Sequence, residues 1–214
     1  MYAIFENKTW LRASPSHAAN VATTANNDAK VSPDALKKLP DSTLVAWGVR
    51  RLDEGTKPPL LRYQNYSPSS ISTSGDRATQ SWVAIDYEMI QARSLAYQEV
   101  ERLANVKRSQ DVAVNQDGVV YQFPMGPDNV QHYATLGAAL GSGVDFPGAG
   151  IPFPVNHAKK RIRLRVNADQ WKVVVHAMAE TLVTINEREV VLENAVADAT
   201  SVSELRAIAI ETGW

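Results

Sequence analysis

From Trp171 to Ala199 the apolar residues Trp171, Val175, Met178, Leu182, Ile185, Leu192, Val196 and Ala199 follow one another at alternating steps of four and three, with Glu189 the one interruption. Such steps hold successive side chains on a single stripe of an α-helix, and their average is the period of helices packed side by side. The segment therefore has to be one long helix, and its stripe needs a cover. Its start is encoded locally, because Asn167 occupies an N-cap position and Gln170 completes a capping box three residues on. Two covers are open at this point. The stripe packs on helices of its own chain, or it assembles with copies of itself or with another protein; a domain of residues 109–214 offers little else to cover so long a helix. The candidate partner interface is thus Trp171, Val175, Met178, Leu182, Ile185, Leu192 and Val196, joined by Trp214, an indole expected to dock into a neighbour.

Around this helix the second half reads as follows. Residues 111–115 and 119–123 flank Gln116-Asp117-Gly118 and form a hairpin with an Asp-Gly turn. A helix is expected from Asp128 to Leu140, ending at Gly141, and residues 141–156 are Gly/Pro-rich and expected to be irregular. The alternation over 161–166 predicts a strand with Ile162, Leu164 and Val166 on one face. Ser201-Val202-Ser203-Glu204 is a second capping box, opening a last helix with Leu205, Ile208 and Ala209 inward.

In the first half, residues 2–5 and 9–11 suggest a hairpin about Glu6-Asn7-Lys8, and 13–32 is a loop or weak helix. Pro33 opens a short helix through Leu36, and Asp41–Gly48 reads as one or two helical turns with Asp41 capping the start and Gly48 at the stop. Residues 55–77, with Pro58-Pro59 and many Ser and Thr, are expected to be an extended arm or long loop available to a partner. A strand over 81–85 precedes a helix near 86–107 whose stripe is Met89, Ala92, Ala96, Val100 and Leu103. The expected fold class is α+β. A small N-terminal α+β domain (1–85) carries the Pro/Ser-rich arm (55–77), a connecting helix spans 86–108, and a C-terminal α+β domain (109–214) holds a short antiparallel sheet and long helices.

The chemistry-bearing residues are sparse. Net charge is -1, so nothing draws the whole chain toward phosphate, and nucleic acid is not an expected partner. The run from Lys159 to Arg165 alternates basic and apolar residues and reads as a strand with one solvated face. The absence of cysteine excludes disulfides and thiolate metal sites. No apolar run approaches the ~20 residues that span a bilayer, so no membrane partner is expected. Met1–Glu6 lacks the basic and apolar regions of a secretory signal. Of His17, His132, His157 and His176, only His176 is followed three or four residues on by an acidic residue, Glu180, and that reads as a surface pair and not a metal site. No nucleophile elbow, zincin helix or phosphate-binding glycine loop occurs. The expectation is no catalytic, cofactor or metal residue, and no enzyme.

Two groups of motifs carry a resemblance. Leu39-Pro40-Asp41-Ser42-Thr43-Leu44-Val45-Ala46-Trp47-Gly48-Val49, Lys57-Pro58-Pro59 and Gln80-Ser81-Trp82-Val83 resemble the N-terminal segment of phage tail proteins encoded near tail-fibre genes. From Asp117 to Ile210 the chain resembles a domain of unknown function common in phage tail and tail-fibre-associated proteins. Asp117-Gly118, Leu136-Gly137-Ala138-Ala139-Leu140, Asn167 to Gln170 and Val191 to Ile208 carry that likeness. The approach to the long helix, Val166-Asn167-Ala168-Asp169-Gln170-Trp171, departs from the family's usual Trp–acidic–Asn pattern. The resemblance implies a structural component of a bacteriophage tail, an adaptor between tail fibres and the tail or baseplate. The alternative is a tail-fibre assembly chaperone absent from the mature virion. Implied partners are tail-fibre and baseplate proteins and further copies of the chain; the implied location is the virion tail, after synthesis in the host cytoplasm.

Overall fold

The structure is a computed structural model and describes residues 1–7, 9–27 and 29–214; Lys8 of the first expected turn and Asp28 of the 13–32 stretch lie outside the described residues. The chain divides into two units, Met1–Tyr87 and Glu88–Trp214, and both combine helices with a sheet, so the fold class is α+β.

In the first unit β1 (Tyr2–Glu6) and β2 (Thr9–Ala13) form the expected hairpin, followed by α1 (Pro15–Ala25), α2 (Pro33–Lys38), α3 (Asp41–Ala46), β3 (Val49–Glu54), β4 (Gln64–Ser74) and β5 (Arg77–Asp86). The strand order is β2-β1-β3-β5-β4, with β3 and β5 parallel and the other neighbours antiparallel. Ser14 and Ser32 cap α1 and α2 by accepting from the backbone N–H of His17 and Ala35, and each helix has proline in its first turn. The stretch 13–32 is thus substantially a capped helix, whose small Ala18, Ala19 and Ala22 pack closely on Tyr2, Ile4, Ala13 and Val49, with Leu36 and Leu44 from α2 and α3. These helices occupy one face of the sheet. Arg51 of β3 ties them down: its guanidinium donates to the carbonyls of Leu36, Lys37 and Leu39 at the end of α2 and pairs with Asp41.

Two expectations are corrected here. Asp41 does not cap α3; Pro40 holds that position without a side-chain bond, and the Asp41 carboxylate turns instead to Arg51 and to Arg77, whose Nε lies 3.0 Å away. Residues Gln64–Ser74 of the supposed arm at 55–77 are strand β4, paired with β5 on both sides of one irregularity. Gly75, at φ +55, takes the first position of the two-residue turn between Ser74 and Arg77, where a left-handed backbone is required. Pro68 is accommodated at an irregularity of the ladder between Pro68 and Ile71. A hydroxyl-rich strand with mostly solvated side chains has the composition of a loop, and only its pairing distinguishes the two.

The second unit runs α4 (Met89–Arg108), β6 (Val112–Gln116), β7 (Val119–Phe123), α5 (Pro127–Gly141), β8 (Ile151–His157), β9 (Lys160–Val166), α6 (Ala168–Asp198) and α7 (Val202–Ala207). Its sheet is antiparallel in the order β6-β7-β8-β9. Asp117 and Gly118, both at positive φ, make the expected β6–β7 turn. One face buries Val112, Val114, Phe123, Phe153, Val155 and Val166 against Trp171, Val174 and Met178 of α6 and Tyr133 of α5. At its centre Phe153 stacks on Trp171 with ring centroids 4.7 Å apart, and Tyr133 leans on the same indole at 5.4 Å.

The capping box of Asn167 and Gln170 starts α6 as expected. Beyond the sheet, the α6 stripe continues as Ile185, Leu192 and Val196, all buried, and α4 packs alongside with Ala92, Ala96, Val100 and Ala104 buried. The helix expected to connect two halves is therefore an integral layer of the second unit, packed on α6 and α7. Its small residues admit the larger ones of α6. The interruption at Glu189 also has a partner: its carboxylate, 17% exposed, pairs with Arg108 of α4, which also donates to Asn186 at 2.8 Å. The expected irregular segment 141–156 is corrected at its end, where β8 begins at Ile151. Pro152 and Pro154 hid this strand, since proline is usually excluded from a ladder. Of the three apolar residues expected inward on β9, Val166 is buried, Leu164 is partly so, and Ile162 is 37% exposed.

Candidate binding surfaces

Five members of the expected partner interface, Trp171, Met178, Ile185, Leu192 and Val196, are buried within the second unit. They are corrected to core: the stripe is covered by the sheet, α5 and α4, not left for another molecule. Val175 is 37% exposed and Leu182 half-buried; both border a shallow apolar groove between α5 and α6 with Tyr133, Ala134 and Ala179. Trp214 docks on its own chain, donating from Nε1 to the carbonyl of Ile210 at 2.7 Å and lining a cleft with Val112, Thr181 and Ile185. His176 lies 3.1 Å from Glu180, both well exposed. Among the described residues no three His, Asp or Glu side chains gather as a metal site, and no helix is long and apolar enough to cross a membrane.

The sequence reasoning missed a surface on the first unit. Strand register places Ala3 and Phe5 of β1, Trp10 and Arg12 of β2, Arg50, Leu52 and Glu54 of β3, Ala78, Gln80 and Trp82 of β5, and Tyr66 and Ile71 of β4 on the sheet face opposite α1–α3. Ala3, Leu52 and Ala78 form a small buried centre there, with Trp10 and Ile71 against it. Rings and cations alternate around that centre. Phe5, 51% exposed, meets Trp10 at 5.2 Å. The Arg50 guanidinium sits 4.9 Å above Trp10 and that of Arg12 5.6 Å above Trp82, while Lys57 reaches both Trp82 at 4.7 Å and Tyr66 at 5.0 Å. Glu54 joins two of the cations, accepting from Arg12 at 3.2 Å with Lys57 at 3.7 Å. Each cation–ring contact contributes roughly 0.5–1 kcal/mol at a site this exposed. They also fix long side chains that would otherwise lose rotamer freedom on meeting a partner. The result is a half-exposed surface of Trp, Tyr, Phe and Arg held in place before anything binds.

The outer face of the second sheet differs. Alternation places Arg161, Arg163 and Arg165 of β9 opposite the core, beside Pro152, Pro154 and Asn156 of β8. Arg165 donates to the carbonyls of Ala149 and Gly150, whereas among the described residues no carboxylate lies within ion-pair reach of Arg161 or Arg163. Alternate residues on a strand are about 6.7 Å apart, so neighbouring guanidinium groups in water repel by about 0.6 kcal/mol before salt screening. On the core side, burial pushes the Tyr133 hydroxyl up to about 12, helped by Asp111 and opposed by Arg161, so it stays neutral. Its Oη, Trp171 Nε1 and both amide atoms of Gln116 are buried without hydrogen-bond partners.

Compared with family models, with curated proteins and with solved structures, the chain matches none.

Proposed function

We propose that this chain is a non-enzymatic structural component of a bacteriophage tail, an adaptor that links tail fibres to the tail or baseplate through protein–protein contacts. The tail setting comes from the sequence resemblance. The observation that carries a binding role is the open face of the first sheet, where Phe5, Trp10, Tyr66 and Trp82 stand half-exposed among Arg12, Arg50 and Lys57. Trp, Tyr and Arg dominate the energetics of protein interfaces, and side chains already ordered on strands lose little freedom when a partner arrives. Copies arranged by the symmetry of a tail would present this face repeatedly.

Quantitative mass spectrometry of purified, infectious particles of a phage encoding the chain tests the proposal. A fixed ratio to the tail-tube protein is expected. Abundance in infected cells with absence from particles would overturn it and favour a fibre-assembly chaperone that departs before completion.

A further inference from the structure

We propose that the outer edge of β9 is a docking edge for an extended acidic segment of a partner protein, which joins the second sheet as an additional strand. This goes beyond the adaptor reading and holds whatever assembly contains the chain.

Two observations fix which backbone groups line that edge. Ala158 and Lys159, both at positive φ, form a two-residue turn closed by His157 and Lys160, and in such hairpins the closing pair exchanges both hydrogen bonds. Alternation then makes Val155/Ile162, Phe153/Leu164 and Ile151/Val166 the bonded pairs. Pro152 and Pro154 give the same parity independently, because they lie opposite Arg165 and Arg163, where β8 needs no N–H toward β9. The N–H and C=O groups pointing away from β8 therefore belong to Arg161, Arg163 and Arg165. Among the described residues no strand pairs with β9 on that side.

The side chains specify what could bind. Lys159, Lys160, Arg161, Arg163 and Arg165 fall within seven residues, and Arg161 and Arg163 lack carboxylate partners. A single charge suffices to discourage chance pairing at an edge; a mutually repelling row is more than that task requires. An incoming strand with Asp or Glu at alternate positions places the Cβ of each acidic residue about 4.5–5.5 Å from that of an arginine, within ion-pair reach of its guanidinium. Its intervening apolar residues would cover Ile162 and Leu164, which the unit leaves half-exposed. Main-chain bonds supply affinity and alternate side chains supply selectivity in strand addition. Nucleic acid would meet the charges but leave the alternating donors and acceptors of the edge unmatched.

The test titrates the full chain into a fluorescent peptide of alternating glutamate and valine, following anisotropy and amide hydrogen exchange. Saturable binding with slowed exchange at Arg161, Arg163 and Arg165 is expected. Affinity should fall at least about tenfold for the Arg161→Glu/Arg163→Glu double variant. It should fall similarly, with the unaltered chain, for a peptide N-methylated at alternate residues to remove its bonding N–H groups. No binding would overturn the proposal. So would binding indifferent to N-methylation, or an oligothymidylate that binds as tightly and displaces the peptide, since either result makes the row a general anion patch.

Discussion

The two sheets use their aromatic residues and their cations in opposite ways. In the second unit the large rings Phe123, Tyr133, Phe153 and Trp171 are inside, and the arginines of β9 face outward without carboxylate partners. In the first, alanines supply much of the core beneath the helices, while Trp10, Tyr66 and Trp82 sit on the open face with Arg12, Arg50 and Lys57 laid over them. The contrast separates two roles for positive charge. Cations bound to rings stiffen a surface; cations left in a row without acids keep their electrostatic demand for something not yet present. It also separates two roles for tryptophan, as the centre of a core and as part of a preordered contact surface.

Substitutions can sharpen or break that contrast. Trp171→Ala should have the largest effect, about 3–5 kcal/mol, because the indole is fully buried between Phe153 and Tyr133. Denaturant unfolding followed at β6–β9 amides would show it, and a loss below about 1 kcal/mol would mean the ring is not central to this core. Trp82→Ala should cost less, about 2 kcal/mol, as a half-buried ring carrying two cations. A larger loss than for Trp171→Ala would invert the comparison and make the open face the first unit's main core. Glu189→Leu continues the apolar stripe yet should destabilise by about 1–2 kcal/mol, because Arg108 loses its carboxylate and keeps only neutral acceptors such as Asn186. The Arg108→Leu/Glu189→Leu double variant should recover most of that loss, and equal damage from both would rule out the orphaned charge as the cause. Smallest is Ala158→Asn with Lys159→Gly, expected to raise stability by about 1 kcal/mol by relieving two left-handed residues at the β8–β9 turn.

What could be read from the sequence was what is encoded locally. The Asp117-Gly118 turn, the Asn167/Gln170 capping box and the α6 stripe each depend on residues a few positions apart, and each forms where expected. The cover of the stripe was not readable: the α4 stripe with Ala92, Ala96 and Val100 is visible in the sequence, but no local pattern says that it packs on α6, some eighty residues away. Strands β4 and β8 were hidden by composition, serine and threonine in one and prolines in the other. The β8–β9 turn was hidden because Ala158-Lys159 lacks the Asn-Gly signature its geometry favours. The open face of the first sheet is assembled by register from residues as distant as Phe5 and Trp82, and no local pattern announces it.

That face is the centre of the functional account, and hydroxyl-radical footprinting addresses it directly by comparing the isolated chain with the chain in purified phage particles. The account predicts that oxidation of Phe5, Trp10, Tyr66 and Trp82 falls strongly in the particle while that of exposed residues on the opposite face, such as Leu11 and Val83, changes little. Equal oxidation of the four rings in both states would contradict the assignment of this surface as the site of contact.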